Sequence, residues 1–140
     1  MDNLFDLSGR VAVVTGGSRG IGRMIAEGFV RGGVRTYITA RKAEACEQAA
    51  GEMSEHGECI ALPHDVSTLH GVDAFVADVH AREDHLDILV NNAGKAWGEA
   101  FDEFSEQGWD KVMDLNAKSL FFLTQRFAPM LRKAARADRP

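Results

Sequence analysis

The chain has 140 residues, a length that suits one domain, and 45% of them are hydrophobic, which is enough for a packed core. Its formal net charge of −5 argues against broad electrostatic attraction to nucleic acid. The N-terminus lacks the basic and apolar stretches of a signal peptide, and no run approaches the ~18 apolar residues of a membrane helix. We therefore expect a cytoplasmic protein without a nucleic-acid or membrane partner.

Short apolar strands alternate with amphipathic helices along the chain. We predict strands at residues 11–15, 34–40, 59–63 and 86–90. Helices are predicted at 20–31, around 46–53, after a cap at Ser67 or Thr68, and from Ser105 to about Leu131 with bends near Asn116 and Pro129. Such alternation predicts right-handed crossovers and a parallel sheet covered by helices on both faces. We predict one doubly wound, three-layer α/β domain over residues 1–140, with a basic tail at 132–140 that frays into solvent.

Apolar spacing also predicts which helix faces point inward. On the first helix these are Ile21, Met24, Ile25 and Phe29, and on the last they are Leu120, Phe121, Leu123, Phe127 and Met130. Trp97 and Trp109 are expected to pack in the core, and a place at the mouth of a substrate site is the alternative. The two cysteines and five histidines show no metal-ligand spacing, so we predict two reduced thiols and no metal site.

The stretch TGGSRGIG, residues 15–22, joins the first strand to the first helix. Gly16 permits a tight turn, Gly20 lets the backbone approach a ligand, and Gly22 lets the helix pack on the strand. The free N–H groups and positive dipole end of the helix suit a pyrophosphate. A Walker loop is excluded because Arg23 and Met24 replace its Lys and Ser/Thr, and GxGxxG spacing is not met either. A purely structural turn stays open as the alternative.

TGGSRGIG resembles the TGxxxGIG fingerprint of the short-chain dehydrogenase/reductase family. Asp65-Val66 after the third strand, NNAG at residues 91–94 after the fourth, and Asn116 in the helix beyond follow in the family's order. The resemblance implies a Rossmann fold and an oxidoreductase that transfers a hydride between a dinucleotide and a small carbonyl or alcohol substrate. Within the family, the chain is most similar to NADPH-dependent 3-oxoacyl reductases. A homodimer or homotetramer through the outer side of the last helix is implied as well.

The resemblance implies cofactor-binding residues in the segments that follow the four strands. They are Gly16, Ser18, Arg19, Gly20, Ile21 and Gly22 in the glycine loop, Arg41 after the second strand, Asp65 and Val66 after the third, and Asn92, Ala93 and Gly94 after the fourth. By this resemblance Asp65 accepts from the adenine amino group, and the NNAG backbone passes along the riboses. The alternative for Asp65 is a loop acid or a helix-capping residue. The two asparagines can also satisfy backbone groups at the end of the strand, and both of their roles can hold at once.

The end of the second strand indicates which dinucleotide binds. Ala40 stands where an acidic residue would bond the ribose 2′-OH, and Arg41 follows it. Arg19 can lie on the same side, and two guanidinium groups clamp a phosphate through fork-like hydrogen bonds. We therefore predict NADP(H) rather than NAD(H). The alternative is that Arg41 is a solvated residue at a helix start.

Asn116 lies in the apolar run KVMDLNAKSLFF, where a buried amide needs hydrogen-bond partners. The resemblance assigns it a catalytic role through a water that relays protons to the family's catalytic lysine. An ordinary buried amide that bonds a neighbouring carbonyl is the alternative.

The family's remaining catalytic groups are a serine and a tyrosine that is followed four residues later by a lysine. The single tyrosine, Tyr37, lies in the second strand and has Arg41 at that spacing, so we do not assign it as the proton donor. The sequence stops at Pro140, before the serine is expected. We interpret the chain as the N-terminal part of a longer reductase, with negligible turnover by itself. A stand-alone nucleotide-binding module and a non-catalytic oligomerisation subunit are the alternatives.

Overall fold

The computed structural model describes residues 3–135, so the part of the predicted tail beyond residue 135 lies outside the described residues. The strands are β1 (Val11–Thr15), β2 (Arg35–Thr39), β3 (Cys59–Ala61) and β4 (Ile88–Val90). The helices are α1 (Gly20–Arg31), α2 (Ala43–Met53), α3 (Leu69–His80), α4 (Glu106–Met113) and α5 (Leu120–Ala134). A 3₁₀ turn at Phe101–Glu103 precedes α4, and a π-helical segment at Asp114–Ser119 separates α4 from α5. Elements of the predicted types occur in the predicted order.

The four strands form one parallel sheet in the order β3-β2-β1-β4. Val14 of β1 lies beside Ile38 of β2 on one side and beside Val90 of β4 on the other. The chain moves outward from β1 to β3 and then returns across the sheet to β4, so the winding direction reverses between β1 and β4. All four strands point the same way, and their carboxyl ends meet at one edge. The predicted doubly wound Rossmann-type α/β fold is confirmed.

Helices cover both faces of the sheet, and each face has its own hydrophobic cluster. Ala26, Val30 and Met53 of α1 and α2 pack with Val14 and Ile38 on one face. On the other face the side chains of α3 and α5 pack with those of β1 and β2, and Phe75 meets Phe127 edge to face at 5.8 Å. Aromatic pairs favour this geometry. The predicted three layers are therefore present.

Local sequence signals explain where two of the helices begin. The Thr68 hydroxyl accepts a hydrogen bond from Gly71 N at 3.0 Å and caps α3. The Ser105 hydroxyl does the same for Gly108 N at the start of α4, again at 3.0 Å. Each cap satisfies an amide that the helix itself leaves free. Both positions agree with the sequence-based predictions.

The predicted inward face of α1 is wrong at its N-terminal end. Ile21 and Met24 are 66% and 64% exposed, whereas Gly22, Ala26 and Val30 face the sheet. A Cβ at Gly22 would overlap the carbonyl oxygen of Gly16, so the helix approaches the sheet too closely for a large side chain. The apolar spacing identified the helix but not the side of it that packs.

Three aromatic residues and one leucine are also more exposed than predicted. On α5, Leu123, Phe127 and Met130 are buried as expected, but Leu120 and Phe121 are exposed because they follow the π-helical segment, which rotates the face presented to the core. Trp97 and Trp109 do not pack in the core either. Within residues 3–135, no helix is long and apolar enough to cross a bilayer.

Candidate functional site

An open cavity of about 590 Å³ lies at the carboxyl ends of the strands. Segments that follow all four strands line it, which is where ligands bind in doubly wound sheets. The predicted site residues on its wall are Gly16, Ser18, Arg19, Gly20, Arg41, Asp65, Val66, Asn92, Ala93 and Gly94. Ile21, Gly22 and Asn116 are not among the lining residues. The sequence therefore located the cavity and most of its wall.

The glycine loop has the backbone geometry that its sequence requires. Gly16 and Gly20 adopt φ values of 65° and 57°, which L side chains rarely tolerate. The amide of Gly16 donates to the carbonyl of Thr39 at 2.9 Å and ties the loop to β2. Gly22 packs directly over the loop, since a Cβ there would overlap Gly16 O and Asn92 Nδ2. This packing fixes the start of α1 against the end of β1.

The first turn of α1 is open to a ligand. Its N-cap residue is Arg19, which makes no side-chain cap, and the turn contains no acidic residue. By contrast α3 and α4 are capped by Thr68 and Ser105. Uncapped amides with a positive dipole end form a site for an anion.

A seam of hydrogen bonds joins the NNAG segment to the glycine loop. The hydroxyl of Thr15 accepts from the amides of Asn92 and Ala93 at 3.0 and 2.9 Å. In return Asn92 Nδ2 donates to the carbonyls of Thr15 and Gly16 at 3.1 and 3.3 Å. Asn91 Nδ2 donates to the hydroxyl of Thr124 on α5 at 3.0 Å. Both asparagine side chains thus satisfy neighbouring groups of the fold, a role that the sequence analysis allowed beside cofactor binding.

The cavity wall is rich in positive charge. Its cationic side chains make no hydrogen bond or ion pair with a carboxylate in the part of the chain that the structure describes; they are Arg19, Arg41, Lys42 and Lys95. Several arginines on other faces are paired, for example Arg23 with Glu52 and Arg31 with Glu27. Four cations without a carboxylate partner thus lie around one cavity of a chain whose net charge is −5.

Asp65 is the carboxylate on this wall. It accepts from the amide and the hydroxyl of Ser67 at 3.0 and 2.6 Å. Partial burial raises its pKa, but the Ser67 hydrogen bonds and the charges of Arg41 and Lys95 outweigh burial, so the pKa lies below its ordinary value. Asp65 is therefore ionised at neutral pH and can accept a hydrogen bond from a ligand.

Several wall residues were missed by the sequence analysis, and Thr39 is the most informative. It is fully buried at the end of β2, and its Oγ1 has no hydrogen-bond partner among the described residues. Threonine is common in strands, so its type carried no signal. Lys42 and Lys95 were also missed, since a lone lysine in a loop has no pattern. His64, a further wall residue, pairs with Asp78 of α3.

Asn116 lies in the π-helical segment, where a bend was predicted. Its Oδ1 accepts from Lys95 N and its Nδ2 donates to Lys95 O, both at 2.9 Å. The amide is exposed rather than buried, and it bonds the main chain of the loop after β4. Its partners are thus backbone groups of one residue, 21 positions away in the sequence.

Among residues 3–135, no group of three or more His, Cys, Asp or Glu side chains could hold a metal ion. Cys46 of α2 and Cys59 of β3 are free cysteines, and both are buried in the same hydrophobic cluster. Burial raises the pKa of Cys59 to about 12.

The parallel sheet, the glycine loop and the anion-ready start of α1 define a Rossmann-type domain with a ligand site at its switch point. The model of the short chain dehydrogenase family matches residues 10–138. The chain belongs to this family.

Individual relatives agree with this assignment. The chain is 46% identical over 140 residues to the rhamnolipids biosynthesis 3-oxoacyl-[acyl-carrier-protein] reductase of Pseudomonas aeruginosa, covering 100% of the chain and 55% of that protein. It is 34% identical over 126 residues to the 5-keto-D-gluconate 5-reductase of Escherichia coli K12, covering 89% of the chain and 50% of the relative. The chain thus spans about half the length of the curated relatives it matches.

Solved structures match with similar coverage. The Pseudomonas aeruginosa RhlG/NADP active-site complex superposes with a TM-score of 0.95 at 46% identity, over 100% of this chain and 55% of that one. The L-sorbose reductase of Gluconobacter frateurii, complexed with NADPH and L-sorbose, superposes with a TM-score of 0.86 at 36% identity. This match covers 90% of the present chain and 49% of the reductase chain.

Proposed function

We propose that residues 1–140 form the NADP(H)-binding portion of an oxidoreductase that interconverts a small carbonyl compound and its alcohol. The cationic cavity at the glycine loop carries this proposal. Two further features fit a phosphorylated dinucleotide: the uncapped first turn of α1 and the unpartnered hydroxyl of Thr39 on the same wall. The similarity to a 3-oxoacyl reductase supports a 3-oxoacyl thioester as the substrate class.

The adenosine end of the cavity favours the 2′-phosphorylated cofactor. Ala40 and Arg41 follow β2 on the cavity wall, and Arg19 reaches the same cavity from the glycine loop. An acidic residue in place of Ala40 would repel a 2′-phosphate, whereas the two guanidinium groups can bind it. The relatives solved with NADP and NADPH support the same choice.

The bound cofactor would supply the hydride, and the protein would hold and orient it. We propose that the amides of the glycine loop and α1 hold the diphosphate, that Asp65 and Val66 contact the adenine, and that Asn92, Ala93 and Gly94 line the path of the riboses. Ile21 and Gly22 are proposed to support the glycine loop, although they do not line the cavity themselves. Asn116 is proposed as a positioning residue, because it holds the main chain of Lys95 in the loop after β4. Its catalytic role through a proton-relaying water, which the resemblance implies, stays a prediction.

The 140 residues contain no tyrosine with a lysine four positions later, so we expect negligible turnover from this chain alone. Tyr37 does not replace that donor: it is buried in β2, and its hydroxyl donates to Glu83 at 2.7 Å. Burial and this hydrogen bond raise its pKa above the ordinary value, which opposes proton release. A cytoplasmic homo-oligomer remains part of the proposal.

Titration of the purified chain with NADPH and NADH, followed by nucleotide fluorescence, tests the proposal. Arg41→Asp should weaken NADPH binding about tenfold or more and leave NADH binding nearly unchanged, because one phosphate contact becomes repulsive. Arg132→Asp is the matched control. It changes net charge equally near the end of α5, where Met130 O accepts from Leu86 N at the amino end of β4. Equal affinity of the wild-type chain for both nucleotides would contradict the NADP(H) assignment.

A second candidate is a nucleotide-binding or oligomerisation module without chemistry, since Tyr37 is not placed as a proton donor. Both candidates expect negligible oxidation of NADPH with a 3-oxoacyl thioester by these 140 residues, so turnover would contradict both. The coding sequence beyond codon 140 separates them: a continuing frame that encodes a serine and a tyrosine with a lysine four positions later supports the reductase, and a stop codon supports the module.

A further inference from the structure

Lys95 is a cation on the cavity wall that none of the motifs explains. It follows NNAG at the end of β4, and its side chain is half-buried. Its ammonium makes no ion pair or hydrogen bond within the described part of the chain. A cation that faces a cavity and has no carboxylate partner is free to form a charge-assisted contact with an anion there. Lys95 is therefore a candidate for such a contact in this cavity.

The main chain of Lys95 is fixed on both sides. Asn116 accepts from its amide and donates to its carbonyl, both at 2.9 Å, so one side chain holds both polar groups of the residue. The same two groups of a residue are engaged when it is paired in a sheet. The position from which the ammonium extends is thereby fixed, and less entropy is lost when it binds a ligand.

The topology determines which part of a dinucleotide Lys95 can reach. The strand order β3-β2-β1-β4 places the glycine loop, which follows β1, between Arg41 after β2 and Lys95 after β4. Lys95 is also close enough to Asp65, which follows β3, for its charge to help lower the pKa of that carboxyl. Arg41 and Lys95 thus flank the uncapped start of α1 from opposite sides.

The carboxylate on the wall does not neutralise Lys95. Asp65 is already bonded to both polar groups of Ser67 and shares its charge between Arg41 and Lys95. The remaining wall cations, Arg19 and Lys42, add to the positive charge. A ligand with two negative charges at the middle of the cavity would offset most of this positive charge.

We propose that Lys95 pairs with the diphosphate of the bound dinucleotide and closes the side of the site that faces β4. This inference rests on the proposed function, because it needs a dinucleotide in the cavity. Lys95 would then contribute to affinity for NADPH and NADH alike, whereas Arg41 contributes to NADPH alone. The substitution that tests it is Lys95→Gln, which removes the charge and keeps much of the side-chain length.

Lys95→Gln should weaken binding of NADPH and of NADH by the same factor, about tenfold, as expected for a hydrogen bond to a charged group. ADP, which carries a diphosphate without the 2′-phosphate, should lose affinity similarly when it competes with NADPH. Lys95→Arg should restore most of the affinity. Lys118→Gln is the matched control, since Lys118 lies in the π-helical segment but not on the cavity wall, and it should change neither affinity. Circular dichroism confirms that each variant is folded.

The outcomes separate this inference from the function on which it rests. A wild-type chain that binds neither nucleotide overturns both. Wild-type binding with unchanged affinities in Lys95→Gln overturns the role of Lys95 alone. A loss confined to NADPH overturns it as well, because Lys95 would then contact the 2′-phosphate.

Discussion

The two ends of the parallel sheet treat their polar groups in opposite ways. At the amino end, the carboxylate of Asp87 accepts from the amide of Val11 at 2.8 Å, and Glu83 accepts from both Tyr37 and Arg35. At the carboxyl end, the cations of the wall have no carboxylate partner among residues 3–135, the first turn of α1 is uncapped, and Thr39 Oγ1 is unpartnered. Both ends are built by the same four strands.

This difference separates the groups that hold the fold from those reserved for a ligand. A buried polar group without a partner costs about 1–3 kcal/mol, and Thr39 Oγ1 is such a group, so the carboxyl end gives up stability at this position. At the amino end the corresponding polar groups are paired and contribute to stability. Substitutions at the amino end should therefore change stability, and those at the carboxyl end should change nucleotide affinity.

The largest expected effect is at Gly22, because both the stability of the fold and the affinity for nucleotide depend on this residue. Gly22→Ala should lower the free energy of unfolding by about 3 kcal/mol and abolish NADPH binding, because its Cβ overlaps backbone and Asn92 in a closely packed site. Gly28→Ala on the same helix meets nothing within 4 Å and should raise the free energy of unfolding by about 1 kcal/mol. Urea denaturation measures both. Similar stabilities of the two variants would contradict the close packing of α1.

The next largest effect is a loss of stability from substitutions at the amino end of the sheet alone. Glu83→Ala should lower the free energy of unfolding by about 2 kcal/mol, mainly because the buried hydroxyl of Tyr37 loses its acceptor. The affinity for NADPH should stay unchanged. Glu58→Ala removes the other partner of Arg35. Because the Glu58 side chain is 63% exposed, this substitution should lower the free energy of unfolding by less than about 1 kcal/mol. A drop in NADPH affinity in folded Glu83→Ala would show that the two ends are not independent.

Two threonines of β2 allow a sharper comparison. Thr36 is buried and its hydroxyl donates to Val34 O at 3.1 Å, so Thr36→Val should lower the free energy of unfolding by about 1 kcal/mol. Thr39→Val removes a hydroxyl without a partner and should leave stability unchanged or raise it in the nucleotide-free chain. Thermal melts without nucleotide measure the difference. Equal destabilisation by both would mean that Thr39 is satisfied.

The smallest expected change in stability concerns the buried thiol of Cys59 in β3. Burial raises the pKa of Cys59 to about 12, so the folded thiol stays protonated while the unfolded thiol ionises near pH 8.5. The folded state then binds more protons, and the free energy of unfolding should fall by about 1 kcal/mol or less between pH 7 and pH 9. Denaturation at both pH values, with Cys59→Ala as the reference, isolates this contribution. Rapid reaction of Cys59 with a thiol reagent in the folded chain would contradict its burial.

Local patterns predicted the fold and most of the cavity wall because they act over a few residues. Gly16 and Gly20 are needed for their φ values, and Thr68 and Ser105 cap the amides three positions ahead. Ile21 was placed wrongly because apolar spacing reports side-chain size and not how closely a helix approaches its sheet.

Contacts between distant segments were out of reach of the sequence. The pairing of Asn116 with Lys95 depends on where the loop after β4 passes the π-helical segment. Thr15 holds the NNAG segment through its hydroxyl, yet it reads as an ordinary strand residue. Loop lysines such as Lys42 and Lys95 could be assigned to the site only from the structure, which shows that both lie on the cavity wall.

The position of β4 at the outside of the sheet has a consequence for the mouth of the cavity. Ile88, Leu89 and Val90 are each only half-covered, and β1 is their hydrogen-bonded neighbour within residues 3–135. A strand edge of this kind accepts a further strand. Because the cavity lies at the carboxyl ends of the strands, a strand added there would extend the same sheet edge on which the cavity is built.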